Sequence, residues 1–424
     1  MTNWVFDNPD TYRTMSRCPD TVILPNLDIK YGRFPTPNLL WYWREAYRWA
    51  SGTAQSFNVF GLDNRPSKYM YNIGTWTDPS VWTGWDNNTH GFDNLFSIVP
   101  PEVLDDARNN KALLVIDNLA EGFYTEKLYE FWHKSCQQFN LPPTNIIYLT
   151  SNELDNRGYS LWADTNNVSD RINIVGFCHF EYQFQKFVTD RADQGVMIDW
   201  QDHLNTKNSN SKTIKTFNCL NRVKRQHREF LFLRLLQEGL TKHGVVSHDV
   251  LSQNWKGFGI PDEIVDQAVN MLPITADDTN FNNNKSMQFN NGLYTNTWIS
   301  IVTETHALEE QHNFFMSEKI WKPIHALHPF MVLGHKGTLA KLHDMGYQTF
   351  NGLIDERYDT QDFFPRVELI IKNLKLLHLT KDKIGWMESL KDTCIHNRQV
   401  FMARDFFKST ACNDILTIYN RLDT

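Results

Sequence analysis

Between Thr213 and Phe350 short apolar runs and amphipathic segments take turns, and no other feature of the 424-residue chain restricts its fold so strongly. TIKTFNCLN (213–221), GVVSH (244–248), TWISIVTET (297–305) and HPFMVLG (328–334) have the length and polar boundaries of buried strands. HREFLFLRLLQEGL (227–240), PDEIVDQAVNML (261–272), SEKIWKPIHAL (317–327) and TLAKLHDMG (338–346) repeat their apolar positions every three or four residues, as helices do. Strands reconnected through helices pair in parallel, and a parallel sheet needs helices on its faces. Ligands of such sheets sit at the carboxyl ends of the strands.

The first half carries the same signature less cleanly. KALLVIDN (111–118), NIIYLTSN (145–152) and INIVGFCHF (172–180) predict strands, and TEKLYEFWHKSCQQF (125–139) a helix. Residues 1 to about 100 are rich in Trp, Tyr, Asn and Pro and show little periodicity. The polar stretch DHLNTKNSNSKTIK (202–215) predicts a linker. The expected fold is therefore α/β, with an acceptor-side domain over 1–205, a ligand-binding Rossmann-like domain over 212–364, a cleft between them, and C-terminal helices over 365–424.

Composition narrows the function. Lys and Arg number 42 against 49 Asp and Glu, so a polyanion-coating role is disfavoured, though a local basic site is compatible with that balance. No run of about 18 apolar residues predicts a membrane span, and MTNWVFDNPD lacks the pattern of a signal peptide. Six scattered cysteines without a Cys-x-x-Cys pair fit free thiols in a reducing compartment, the cytoplasm by default. The chain has no Walker, dinucleotide-binding or serine-hydrolase motif and no Asp-x-Asp, and His325 and His328 lack a metal motif's spacing, so no metal is expected.

Three clusters stand at predicted strand ends. Asn221 to Arg228, with Arg222, Arg225 and Arg228, crowds cations between a strand and a helix start, where they oppose the macrodipole unless an anion offsets them. Glu304-Thr305-His306 follows TWISIVT, and Ser317-Glu318-Lys319 opens a helix with Ser317 as its cap. Lys319, in a first turn, has little helical reason to be there.

SIVTETH (300–306) followed by FFMSEKIWKPIHALHPFMVLG (314–334) resembles the C-terminal donor signature of family 10 glycosyltransferases, the α-1,3/4-fucosyltransferases. There a strand ends in Phe-Glu-Asn, Thr-Glu-Lys opens a helix, and a Pro-Val/Ile-x-x-Gly strand follows. Glu304 falls at the family's Glu, Thr305 stands where it has Asn, and Ser317, Glu318 and Lys319 match Thr-Glu-Lys. The upstream FNCLNRVKRQHREFLFLRL is similar to a strand whose following Arg binds donor phosphate, here Arg228. The resemblance covers about 120 residues of the 424 and implies the GT-B arrangement of two Rossmann-like domains.

It also implies an inverting, metal-independent transferase with no cofactor, using a nucleotide diphosphate-sugar donor such as GDP-fucose and a glycan or other hydroxyl acceptor. Arg228 and Lys319 would hold the diphosphate, Arg222 and Arg225 would assist, and Glu304 and Glu318 would contact donor hydroxyls or orient Lys319. The base is expected from the first domain, with Asp117, Glu121, Glu153 and Glu181 as candidates because each follows a predicted strand. Trp76, Trp82 and Trp85 offer stacking surfaces for sugar rings or simple core packing. Two alternatives stay open: a non-catalytic carbohydrate- or nucleotide-binding protein on the same scaffold, and transfer to modified bases in DNA.

Overall fold

The structure, a computed structural model, describes residues 2–6, 57–61, 65–74, 96, 99–119, 126–190, 199–209, 213–221, 223–276, 289–308 and 313–423. The protein is α/β and divides into two compact units, each built on an all-parallel sheet. Unit 1 comprises Met1–His179, Gln311–Phe314 and Asp405–Thr424; unit 2 comprises Phe180–Glu310 and Phe315–Arg404.

Unit 1 contains β1 (Thr2–Phe6), β2 (Phe57–Gly61), β3 (Tyr69–Gly74), α1 (Pro101–Arg108), β4 (Ala112–Asn118), α2 (Glu126–Gln138), β5 (Ile146–Thr150), α3 (Asp155–Thr165) and β6 (Asn173–Gly176). The strand order is β2-β1-β3-β4-β5-β6. Ala112 to Ile116 are buried without alternation, as expected of a strand covered on both faces. Trp132 of α2 packs edge-on against Tyr148 of β5, ring centroids 4.5 Å apart, in a core with Tyr69, Leu114 and Ile116.

Helix α4 (His179–Asp190) leads into unit 2, which holds α5 (Trp200–Ser209), β7 (Lys215–Leu220), α6 (Gln226–Gln237), β8 (Gly244–Ser247), α7 (Asp262–Met271), α8 (Asn291–Thr295) and β9 (Thr297–Thr303). It continues with α9 (Glu318–His325), β10 (Phe330–Leu333), α10 (Thr338–Asp344), α11 (Phe363–Leu379), α12 (Lys383–Glu388) and α13 (Lys391–Met402). The chain then returns to unit 1 with α14 (Thr410–Asn420). Every residue of β9 is buried, and its polar members Thr297, Ser300 and Thr303 are hydrogen-bonded to Asn218, Asn218 and Asn221. None of the described helices is long and apolar enough to cross a membrane.

Strand order locates the ligand crevice. In unit 2 the order β10-β9-β7-β8 reverses direction at β7, because β8 lies on one side of it and β9 on the other. The carboxyl ends of β7 and β9 therefore flank the topological switch point, where open parallel sheets bind ligands. In unit 1 the reversal falls between β1 and β3, and residues 7–56 and 75–95, which follow these two strands, are outside the described set.

Several expectations change. The weakly periodic first hundred residues supply three parallel strands. INIVGFCHF is two elements, β6 ending at Gly176 and α4 beginning at His179; Gly176 is required there because a Cβ would meet the Asn152 carbonyl oxygen at 2.7 Å. The expected linker is largely α5, with Trp200, His203, Leu204 and Lys207 buried. Lys207 tolerates burial because its ammonium donates to the carbonyls of Tyr294 (2.8 Å) and Thr297. The units consequently part at His179/Phe180 rather than near residue 205, and the tail expected as separate helices is shared, 365–404 with unit 2 and 405–424 with unit 1.

Candidate functional site

The switch point of unit 2 is built by four segments. Asn221 follows β7, and its backbone N–H donates to the Ser247 carbonyl (2.9 Å) while its Oδ1 accepts from the Thr303 hydroxyl. His227 and Arg228 rise from the first turn of α6, Glu304 follows β9, and Ser317 to Lys319 open α9. Glu304 N–H donates to the Leu333 carbonyl at 3.0 Å, which brings in the end of β10.

Glu304 is fully buried. Its Oε2 accepts from the Ser317 backbone N–H (3.0 Å) and hydroxyl (2.5 Å), whereas Oε1 is buried with no hydrogen-bond partner among the described residues. Burial raises its pKa, opposed by the Lys319 charge and the Ser317 donors. Ser317 caps α9, as expected, and links three groups: its Oγ donates to Glu304, accepts the Lys319 N–H at 3.4 Å and lies 3.0 Å from Lys319 Nζ.

Lys319 Nζ also lies 3.5 Å from Thr305 Oγ1 and 3.4 Å from Glu318 Oε1. With 27% of its side chain exposed, it is the partly open cation of the group. Burial pushes the Glu318 carboxyl upward, but the Lys319 and Lys322 ammoniums outweigh it and hold it below the usual carboxylate range. Gly334 lies against this group: a Cβ there would sit 3.2 Å from Glu304 Cγ, a tight contact that would press on the carboxylate's side chain.

Arg228 is placed differently from its expected role. It is 3% exposed, and its guanidinium donates to the carbonyls of Glu304 (3.0 Å), Val223 (3.1 Å) and Thr303 (3.3 Å). Burial, then the nearby Arg225 charge, lower its pKa to about 10, against the pull of Glu304 and Glu318. His227 lies alongside with a pKa lowered to about 3 by burial, so it is neutral; its Nε2–H donates to the Glu304 carbonyl at 2.9 Å, which fixes the tautomer. The two side chains clamp the backbone that presents Glu304. Sequence reasoning missed this because a cation at a strand-to-helix turn looks alike whether it faces an anion or the chain's own carbonyls.

The other candidates scatter. Arg225 is half-exposed at the N-cap of α6 with Nε unpartnered among the described residues, and Arg222 lies outside them. Of the four expected bases, Glu121 lies outside the described residues, as do Trp76, Trp82 and Trp85. Asp117 is in register with Gly74 and Leu149 near the end of β4. Glu153 follows β5, half-buried, its N–H donating to the Phe314 carbonyl at 3.1 Å. Glu181 belongs to unit 2 and is buried, its Oε1 accepting from Tyr347 and from Arg404 Nε at 2.6 Å. That carboxylate is engaged in an ion pair within unit 2.

In unit 1 the structure shows a carboxyl that the sequence did not single out. Asp155, at the start of α3, is fully buried, takes a hydrogen bond from the Tyr129 hydroxyl and has its pKa raised to about 7 by burial. Among the described residues no three His, Cys, Asp or Glu side chains are placed to hold a metal ion.

No protein-family model matches this chain, and no curated protein matches it. Among solved structures it is similar to the N-terminal domain of trehalose-6-phosphate phosphatase from Candida albicans, with 11% identity over 98% of this chain and 90% of that one. The TM-score is 0.43, too low to support an inference about fold or function.

Proposed function

We propose that the chain is a glycosyltransferase of the GT-B arrangement that takes a sugar from a nucleotide diphosphate-sugar and passes it, with inversion, to a hydroxyl acceptor. The observation that carries this reading is the Glu304–Ser317–Lys319 group at the switch point of unit 2, where a buried carboxylate and a serine hold a partly open ammonium at a strand end. The two all-parallel units agree with such an arrangement, and the 300–334 signature points to fucose from GDP-fucose as the transferred sugar.

In this reading the acceptor oxygen attacks the anomeric carbon on the face opposite the leaving group. The bond from that carbon to the diphosphate oxygen breaks, and a base removes the acceptor proton. Lys319 neutralises charge gathering on the departing diphosphate, as a fixed donor does in an oxyanion site. Glu304 acts through Ser317, setting where the ammonium points, and Arg228 holds the Glu304 backbone. Arg225 and Lys224 are further cations on the turn above α6.

The engagement of Glu181 by Arg404 favours a second reading, a nucleotide-sugar-binding protein without turnover, because it removes one expected base. Isothermal titration with GDP, UDP, dTDP and ADP, followed by transfer assays with the matching sugar nucleotides, separates the two. Binding of one diphosphate that weakens about tenfold or more in Lys319→Ala, with release of that diphosphate from its sugar nucleotide, is the expected result. Binding without release supports the second reading, and no binding of any diphosphate sinks both.

A further inference from the structure

The loop after β8 ends in a feature that burial alone does not explain. Phe258 is 61% exposed, between Gly257 and Gly259, both in the left-handed region at φ 82° and 79°. The turn is nevertheless well tied. Phe258 N–H donates to the Trp255 carbonyl (3.2 Å), Lys256 bridges to Ile260, and Lys256 Nζ pairs with Asp266 at 2.7 Å. The loop is anchored to α6 by Glu229, a buried carboxylate that accepts from Ser252 N–H (2.9 Å) and Trp255 Nε1 (2.7 Å).

Behind Phe258 runs a chain of rings. Its centroid is 5.9 Å from that of Trp255, Trp255 is 5.9 Å from Phe230 of α6, and Phe230 is 5.0 Å from Phe364, which is 58% exposed. The loop that carries this ridge follows β8 at the carboxyl-end rim of the unit 2 sheet and is tied to the opening of α6, where Gln226, next to Arg225, donates to Gln253 at 3.4 Å. Among the described residues neither Arg225 nor Lys224 has a carboxylate partner. An aromatic face on a loop tied to this cation-bearing turn complements a ligand that joins a flat ring to phosphates. Two exposed rings are too little for a protein interface, which takes about 800 Å² per partner, but they suit a single heteroaromatic ring.

Resting on the reading of unit 2 as a nucleotide-sugar site, we propose that Phe258, backed by Trp255, Phe230 and Phe364, is the stacking surface for the base of the bound nucleoside diphosphate. The two glycines hold the ring outward without a strained side-chain-bearing residue on either side.

Titrations of the full chain with GDP, UDP and ADP, each beside pyrophosphate as a probe lacking a base, test this. In Phe258→Ala the tightest nucleoside diphosphate is expected to weaken about tenfold while pyrophosphate is unchanged, and Phe258→Tyr is expected to restore binding. Phe258 is exposed, so the variant should fold, and a matching thermal midpoint checks that. Equal weakening of nucleotide and pyrophosphate, or no weakening of either, overturns the stacking role. Wild-type binding of pyrophosphate as tight as any nucleotide overturns it too, while leaving the phosphate site standing. If neither probe binds the wild type, the reading of unit 2 falls and this inference with it.

Discussion

The two units share a parallel sheet and differ in what they put at its carboxyl end. In unit 2 the ends of β7 and β9 meet over charge: Arg228 on the Glu304 carbonyl, Glu304 on Ser317, and Ser317 beside Lys319. In unit 1 the described side-chain hydrogen bonds at the ends of β4 and β5 join neutral groups. Asn118 Nδ2 donates to the Tyr148 hydroxyl (2.8 Å), Ser151 donates to the Leu119 carbonyl, and Asn152 Oδ1 accepts from Phe314 N–H (2.8 Å). Even the buried carboxyls diverge. Glu304 has a serine and an ammonium to favour its charged form, whereas Asp155 has Tyr129 and is pushed to about 7 by burial. Topology thus supplies a rim in each unit, and the described hydrogen bonds at the two rims differ in charge.

The sharpest break of this comparison is Arg228→Ala. If Arg228 is a clamp, the variant loses about 3–5 kcal/mol of unfolding free energy by denaturant titration, since three carbonyls lose their donor in the core. A fully stable Arg228→Ala that only lost diphosphate affinity would return this residue to the ligand.

Asp155 offers a contrast through pH. Its folded pKa near 7 lies above the ordinary 3.8, so the folded state favours the protonated form. The stability this gives is complete below about 4 and is lost as pH climbs through 7, by at most about 4 kcal/mol. Asp155→Asn removes the titration, so the difference between wild type and variant should shrink or reverse across that window. A difference flat in pH would contradict the buried neutral carboxyl.

Glu181→Gln should cost about 2 kcal/mol, because Arg404 is left without its carboxylate, and Arg404→Met in the same background should recover part of it. Transfer activity lost in Glu181→Gln with stability intact would reinstate it as a base. Least disturbing to the fold is Lys319→Ala, expected to change stability by under about 1 kcal/mol because its ion pair is partly open to water, while diphosphate binding falls tenfold or more.

The sequence revealed the sheet of unit 2 well, since β7, β8, β9 and β10 are apolar runs between periodic helices. It did not reveal β1 to β3, whose neighbours are crowded with Trp, Tyr and Asn and lack a period. Nor did it reveal α5, where polarity suggested a linker although the amine of Lys207 is satisfied by backbone carbonyls. At the site, Ser317 as a cap and Lys319 as an ill-placed cation were legible from helix rules. The roles of Arg228 and Glu181 were not, because what a charge faces depends on residues distant in sequence, Glu304 for one and Arg404 for the other.

The division of the chain has a consequence for the order in which the protein can be made. Unit 1 includes residues 405–424 as well as the first 179, so its last helix leaves the ribosome only after all of unit 2 has been synthesised. Tyr419 of that helix donates to the Lys68 carbonyl (3.4 Å), and Lys68 Nζ lies over its ring at 5.0 Å. The part of the molecule translated first therefore cannot be completed until the part in the middle of the chain has been made.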